Sequence, residues 1–213
     1  MCKVINLFGE PGCGKSSLAA YIFYRLKVLG YNCELVTEFA KDKVYENSMN
    51  ELENQSYIFG MQLQRMNRLK DNVDIIITDS PLLLCGLYMR DQKLYNNFFN
   101  LVYDSFNSWD NYNYLLECNH PYVTSGRLQD ENGANQIRKD LITSLDYYKV
   151  PYKQLVSTMD KNNAFNNAGE KIITDIIDPC YRYQEFIPVF SKSVKSYSLH
   201  NIFNSIKNWC HRF

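Results

Sequence analysis

Hydrophobic positions along the chain follow two alternating patterns, short continuous runs and longer stretches in which apolar residues recur every three to four positions. The first run, residues 3–8, is mostly apolar and ends at Gly9, which predicts a buried strand. Leu18, Ile22, Leu26 and Leu29 then share one face of a helix predicted over 16–29 and ended by Gly30. A second strand is predicted over 33–36, followed by two helical stretches, the longer over 51–70. Residues 73–78 form the clearest strand. Val73, Ile75, Ile76 and Ile77 make it nearly continuous in β-branched residues, as in a central parallel strand covered on both faces, so it is expected beside the first strand.

The helical pattern resumes from Pro81 and again across 94–106, and a fourth strand is predicted over 112–118. Ile137, Leu141, Leu145 and Tyr148 stripe a further helix, and residues 152–156 complete a fifth strand. Strands alternating with helices imply a parallel sheet with right-handed crossovers, and ligands bound outside the carboxyl ends of its strands. Residues 120–135, rich in Pro, Gly, Asp and Asn, are predicted to form a mobile loop rather than a domain linker.

Chemistry is therefore sought at the strand ends. Between the first strand and its helix stand Gly9, Glu10, Pro11, Gly12, Cys13, Gly14, Lys15 and Ser16, matching G-x-x-x-x-G-K-[ST], with Ser17 just inside the helix. Glycines let successive N–H groups converge on phosphate oxygens, and the helix N-terminus adds partial positive charge. Lys15 is expected at the β- and γ-phosphates of ATP and Ser16 at Mg²⁺. Asp79, directly after the third strand, is placed to hold the magnesium shell, with a helix N-cap as the competing role. Glu38 follows the second strand, where a carboxylate takes the proton of an acceptor hydroxyl or merely caps a helix. Lys41, one turn later, either neutralises phosphate or is solvated. On the 51–70 helix, Tyr57 precedes a polar stripe at Gln62, Arg65 and Arg68. Gln62 and Arg65 suit a base edge and an acceptor phosphate and Tyr57 suits stacking; the competing arrangement is a core aromatic with a solvated polar face.

Composition narrows these choices. The 213 residues suit one α/β core, and 46% hydrophobic with 22% charged residues excludes a disordered chain. Twenty-three basic and 23 acidic side chains cancel, which removes any whole-molecule attraction for nucleic acid and leaves a DNA partner unfavoured. The mildest exception is 180–213, where five basic residues face Glu185 alone and Ile202, Phe203, Ile206 and Trp209 share a helical face. Seven dispersed cysteines with no C-x-x-C fit a reducing cytoplasm, and no 18-residue apolar run predicts a membrane span.

The residues at 9–16, Thr-Glu-Phe-Ala-Lys-Asp at 37–42, Ile-Thr-Asp-Ser-Pro-Leu at 77–82 and Gly-Arg-Leu-Gln-Asp-Glu at 126–131 resemble a known family. They are similar to small P-loop kinases of the nicotinamide riboside kinase and deoxynucleoside kinase groups, which include many bacteriophage proteins. The resemblance covers about 3–178. It implies a three-layer P-loop NTPase fold, with a five-stranded parallel sheet in the order 2-3-1-4-5, helices on both faces, and a lid over about 120–135. It further implies ATP with Mg²⁺, Glu38 as the acceptor-side base, Asp79 on the magnesium side, and Arg127 as a lid arginine closing over the transferring phosphate. Related kinases often carry arginine where Lys41 stands, and nucleoside kinases often follow the acidic residue at 79 with arginine rather than Ser80.

Domain organisation is expected as a kinase domain over 1–178 and a helical extension over 179–213 packed on the core or a partner, a homodimer being compatible. The leading expectation is a kinase of a nucleoside, nucleotide or similar metabolite in the cytoplasm, a host's if the gene is a phage's. Alternatives are a kinase of hydroxymethylated bases within DNA and a nucleotide-dependent switch or assembly ATPase.

Overall fold

The computed structural model describes residues 2–89, 91, 93–118, 131–157 and 164–177. Five strands, β1 (Lys3–Phe8), β2 (Cys33–Val36), β3 (Ile75–Thr78), β4 (Asp110–Cys118) and β5 (Lys153–Ser157), form one parallel sheet in the order β2-β3-β1-β4-β5. This is the order expected above. Alternation along β1 explains the layering. Val4 and Phe8 enter one core cluster and Ile5 and Leu7 the other, so the sheet is covered on both faces.

Eight helices among the described residues complete the layers: α1 (Lys15–Val28), α2 (Phe39–Tyr45), α3 (Met49–Glu53), α4 (Gln55–Asn67), α5 (Leu83–Leu87), α6 (Tyr95–Asn107), α7 (Glu131–Tyr147) and α8 (Ala164–Ile177). The single helix expected over 51–70 is two. Asn54 leaves helical geometry at ψ 84, ends α3, and accepts the Tyr57 N–H as the N-cap of α4, a role its short polar side chain favours. Residues 131–135, expected as the end of the mobile loop, already belong to α7. Residues 120–130, including Arg127, and residues 178–213 lie outside the described residues, as therefore does the expected extension.

The helix that sequence reasoning missed is α8. It lies beside α1 on the second face. Ala168, Ile172, Ile173 and Ile176 are buried at helical spacing, and each isoleucine contributes about 2–5 kcal/mol relative to alanine. Gly169 permits the approach, because a Cβ there would lie 2.5 Å from the Tyr21 ring. Glu170 then accepts from Tyr21 Oη and Arg25 Nε, both at 2.6 Å, and Lys3 Nζ donates to the last-turn carbonyl of Ile176 at 2.8 Å.

One face also holds a polar ladder. Asn6, buried in β1, donates from Nδ2 to the side-chain oxygens of Asn111 at 2.8 Å and Asn113 at 3.0 Å. These two pass the connection on to the carbonyls of Phe106 and Pro151, so the end of α6 and the start of β5 are tied to the sheet centre.

Candidate functional site

The carboxyl ends of β1, β2, β3 and β4 converge on the loop after β1. Its backbone shape depends on glycine in two ways. Gly14 caps α1 at φ 88, a left-handed conformation that costs other residues, and no side chain occupies the cap. At Gly9, a Cβ would stand 2.5 Å from Cys13 Sγ and 3.2 Å from the Leu116 carbonyl, so only glycine lets the loop lie against β4. Lys15 Nζ donates to the carbonyls of Gly9 and Glu10, both at 2.9 Å, which anchors the ammonium over its own loop. Pro11 and Gly12 are partly buried, and Ser16 and Ser17 occupy the exposed first turn of α1.

Cys13 is fully buried against Gly9, and burial pushes its thiol above the usual range. A thiol so placed is a packing residue rather than a redox sensor. Glu10 contributes backbone to the loop, while its side chain turns toward β4. There it accepts from the Cys118 N–H at 3.3 Å and from Arg138 Nη1 at 3.1 Å.

Ser16 Oγ donates to Asp79 Oδ2 at 2.5 Å, which joins the ends of β1 and β3. Asp79 is 5% exposed, and its Oδ1 has no hydrogen-bond partner among the described residues. Capping does not account for that carboxylate, since the N-cap of α5 is Leu82, three residues on. A hydroxyl and a carboxylate with one buried oxygen left over are hard donors suited to Mg²⁺ and its water shell. Among the described residues no group of three or more His, Cys, Asp or Glu could by itself hold a metal ion.

Glu38 occupies the N-cap position of α2 without making a side-chain cap, so its carboxylate remains available to the cleft. Burial raises its pKa above the usual carboxylate range; Lys15 opposes the shift, Asp79 reinforces it, and the exposed Lys41 again opposes it. Glu38, Lys15 and Asp79 thus sense one another across the ends of three strands. Two residues not foreseen from sequence also feel the Glu38 charge. Cys85 on α5 and Tyr88 just after it are raised first by burial and next by the Glu38 charge, Cys85 to about 12. Tyr88 also senses the Asp140 charge from α7.

Tyr57, Gln62 and Arg65 are disposed differently from the cleft-facing stripe expected above. Gln62 is 1% exposed, and its amide is spent on backbone: Oε1 accepts the Phe39 N–H at 2.9 Å, and Nε2 reaches the carbonyls of Thr37 and Ser80, both at 3.4 Å. Arg65 donates to the Thr37 carbonyl at 3.2 Å, pairs with Asp42, and covers the Phe39 ring at 5.0 Å. Tyr57 meets the same ring edge-on at 5.4 Å. Gln62 thus ties the backbone beside Glu38 to the backbone beside Asp79, which engages its amide away from any base edge, while Tyr57 stays exposed on the Phe39 ring. Gln62→Leu is expected to cost about 1–3 kcal/mol in thermal or urea unfolding, because it strands the buried Phe39 N–H.

Residues 4–160 match the family described as AAA domain. The chain belongs to that family. No curated protein matches it. Among solved structures, this AAA domain is similar to deoxyadenosine kinase from M. mycoides, at 19% identity over 82% of this chain and 98% of that one, with a TM-score of 0.53. NadR protein in complex with NR shares 14% identity over 80% of this chain and 50% of that one, with a TM-score of 0.60. Thymidylate kinase from Ehrlichia chaffeensis shares 12% identity over 83% and 100%, with a TM-score of 0.53. At these identities the likeness is one of fold. Among the described residues of the AAA domain, no helix is long and apolar enough to cross a membrane.

Proposed function

We propose that the chain is an ATP- and Mg²⁺-dependent kinase that moves the γ-phosphoryl group to a hydroxyl or phosphate of a nucleoside, nucleotide or similar small metabolite. The observation that carries this reading is Glu38, a carboxylate of raised pKa that faces Lys15 and Asp79 but caps no helix. A hydrolytic switch has no need of an acceptor-side base at that position.

In this reading the N–H groups of the loop and Lys15 bind the β- and γ-phosphates. Glu38 accepts the proton of the acceptor hydroxyl as its oxygen bonds to the γ-phosphorus. The bond from that phosphorus to the bridging oxygen breaks, and ADP leaves. Ser16 and Asp79 would hold Mg²⁺, which supplies charge neutralisation at the phosphates when bound. The acceptor class is supported by the names of the similar structures, two of which are nucleoside or nucleotide kinases. Arg127, which lies outside the described residues, is proposed as the lid arginine, and the protein is proposed to work in the cytoplasm.

The test is incubation with γ-labelled ATP and Mg²⁺ against separate pools of nucleosides, nucleotides, nicotinamide riboside and hydroxymethylated DNA. Label is expected in a small-molecule pool. Label confined to DNA, or phosphate released to water whatever the pool, overturns the reading. Asp79→Asn is expected to raise the Mg²⁺ concentration for half-maximal turnover by about 10–100-fold, measured by metal titration at fixed ATP.

A further inference from the structure

Within residues 9–16 the only acidic side chain is Glu10, set in a loop whose proposed ligand is a polyanion. A free carboxylate there opposes phosphate binding, since like charges in a low-dielectric site repel strongly. Glu10 is nevertheless 6% exposed and fully engaged. Besides the Cys118 N–H at 3.3 Å, its partner is Arg138, in the second turn of α7 and 128 positions away in sequence. Arg138 Nη1 reaches both Glu10 Oε2 at 3.1 Å and the Leu116 carbonyl at 2.8 Å, and Nη2 lies 3.9 Å from Glu117. Both side chains of the pair are largely buried. The guanidinium therefore stitches three elements together: the phosphate loop, the carboxyl end of β4, and α7.

We propose that Arg138 is a positioning residue that serves the phosphate site through Glu10, holding its carboxylate against β4 and cancelling its charge so that the loop presents a net attractive field to phosphate. This rests on the nucleotide reading above. The pair gives the two residues opposite effects on nucleotide affinity. Without Arg138, an uncompensated carboxylate is left beside the triphosphate. Without the charge of Glu10, an uncompensated guanidinium is left there.

The test is equilibrium titration of MgATP, MgADP and adenosine against the full chain and four variants: Arg138→Gln, Arg138→Lys, Glu10→Gln and the Glu10→Gln/Arg138→Gln double. Arg138→Gln is expected to weaken MgATP by about tenfold, MgADP by less, and adenosine not at all. Glu10→Gln, which is isosteric, tightens MgATP, Arg138→Lys stays close to the unsubstituted chain, and the double variant recovers most of the Arg138→Gln loss. A double variant as weak as Arg138→Gln overturns the proposal in favour of direct guanidinium contact with nucleotide. Equal weakening of adenosine overturns it in favour of a purely structural brace. Weaker MgATP binding by Glu10→Gln overturns it even if Arg138→Gln does not fold. Failure of the unsubstituted chain to bind MgATP sinks the nucleotide reading and this proposal together, whereas binding with the wrong signs sinks this proposal alone.

Discussion

Lys15→Ala is expected to lower single-turnover phosphoryl transfer by about 10²–10³-fold, the effect of removing one preorganised donor from developing transition-state charge. The ammonium is preorganised because the carbonyls of Gly9 and Glu10 each hold it at 2.9 Å, so little reordering is needed before it meets phosphate oxygens. Those carbonyls belong to the two residues that fit the loop against β4: Gly9 by lacking a Cβ, Glu10 by its bonds to Cys118 and Arg138. Lys15→Ala should therefore shift the thermal midpoint little while transfer collapses. Quenched single-turnover measurement with labelled ATP, alongside a melting curve, separates the two. Transfer within a few-fold of the unsubstituted chain would mean that Lys15 does not serve the transfer step, and its assignment to the transferring phosphate would fall.

The placement of the third strand beside the first and the positions of the loop after β1, Glu38 and Asp79 were legible because each rests on a local signal, whereas the full strand order came with the resemblance. A continuous run such as Ile75-Ile76-Ile77 marks a strand buried on both faces, and the next polar residues mark its carboxyl end. Once Thr78 ends β3, Asp79 has to stand at the sheet edge beside the loop after β1, since β1 and β3 are hydrogen-bonded neighbours. Local signals also misled. Gln62 and Arg65 look like a solvated or ligand-facing stripe because their partners, the backbone at Thr37, Phe39 and Ser80, are distant in sequence. α8 carried a usable signal in the spacing of Ala168, Ile172, Ile173 and Ile176, but Gly169 and the Asn166-Asn167 pair weaken it. Gly169 proves to be where a Cβ would strike the Tyr21 ring of α1.

Pairings across long separations were not legible at all. Nothing near Glu10 in sequence marks it as the partner of Arg138, and a glutamate at a free position of a phosphate loop carries no pattern of its own. Cys85 and Tyr88, which feel the Glu38 charge, lie on and just after the short α5. A five-residue helix has too few turns to show a periodic face.

Glu38→Gln is expected to lower kcat by about 10²–10⁴-fold, the usual range for removing a positioned general base, while the affinity for MgATP changes little. The division follows from position: Glu38 stands at the end of β2, while the loop, Lys15 and Ser16, proposed to bind phosphate, stand at the end of β1. The pH dependence supplies an independent sign. Burial and the Asp79 charge together outweigh Lys15 and Lys41, so the carboxyl loses its proton above the ordinary glutamate range. Only the deprotonated form accepts the acceptor's proton. Turnover is therefore expected to be low at acid pH, to rise as pH passes through the raised pKa, and then to level off. Lys41→Ala removes one of the two opposing cations, and should move that rise to still higher pH. In Glu38→Gln the rise itself should vanish from the residual activity. A rise that persists unchanged in Glu38→Gln would assign the proton acceptance to another group.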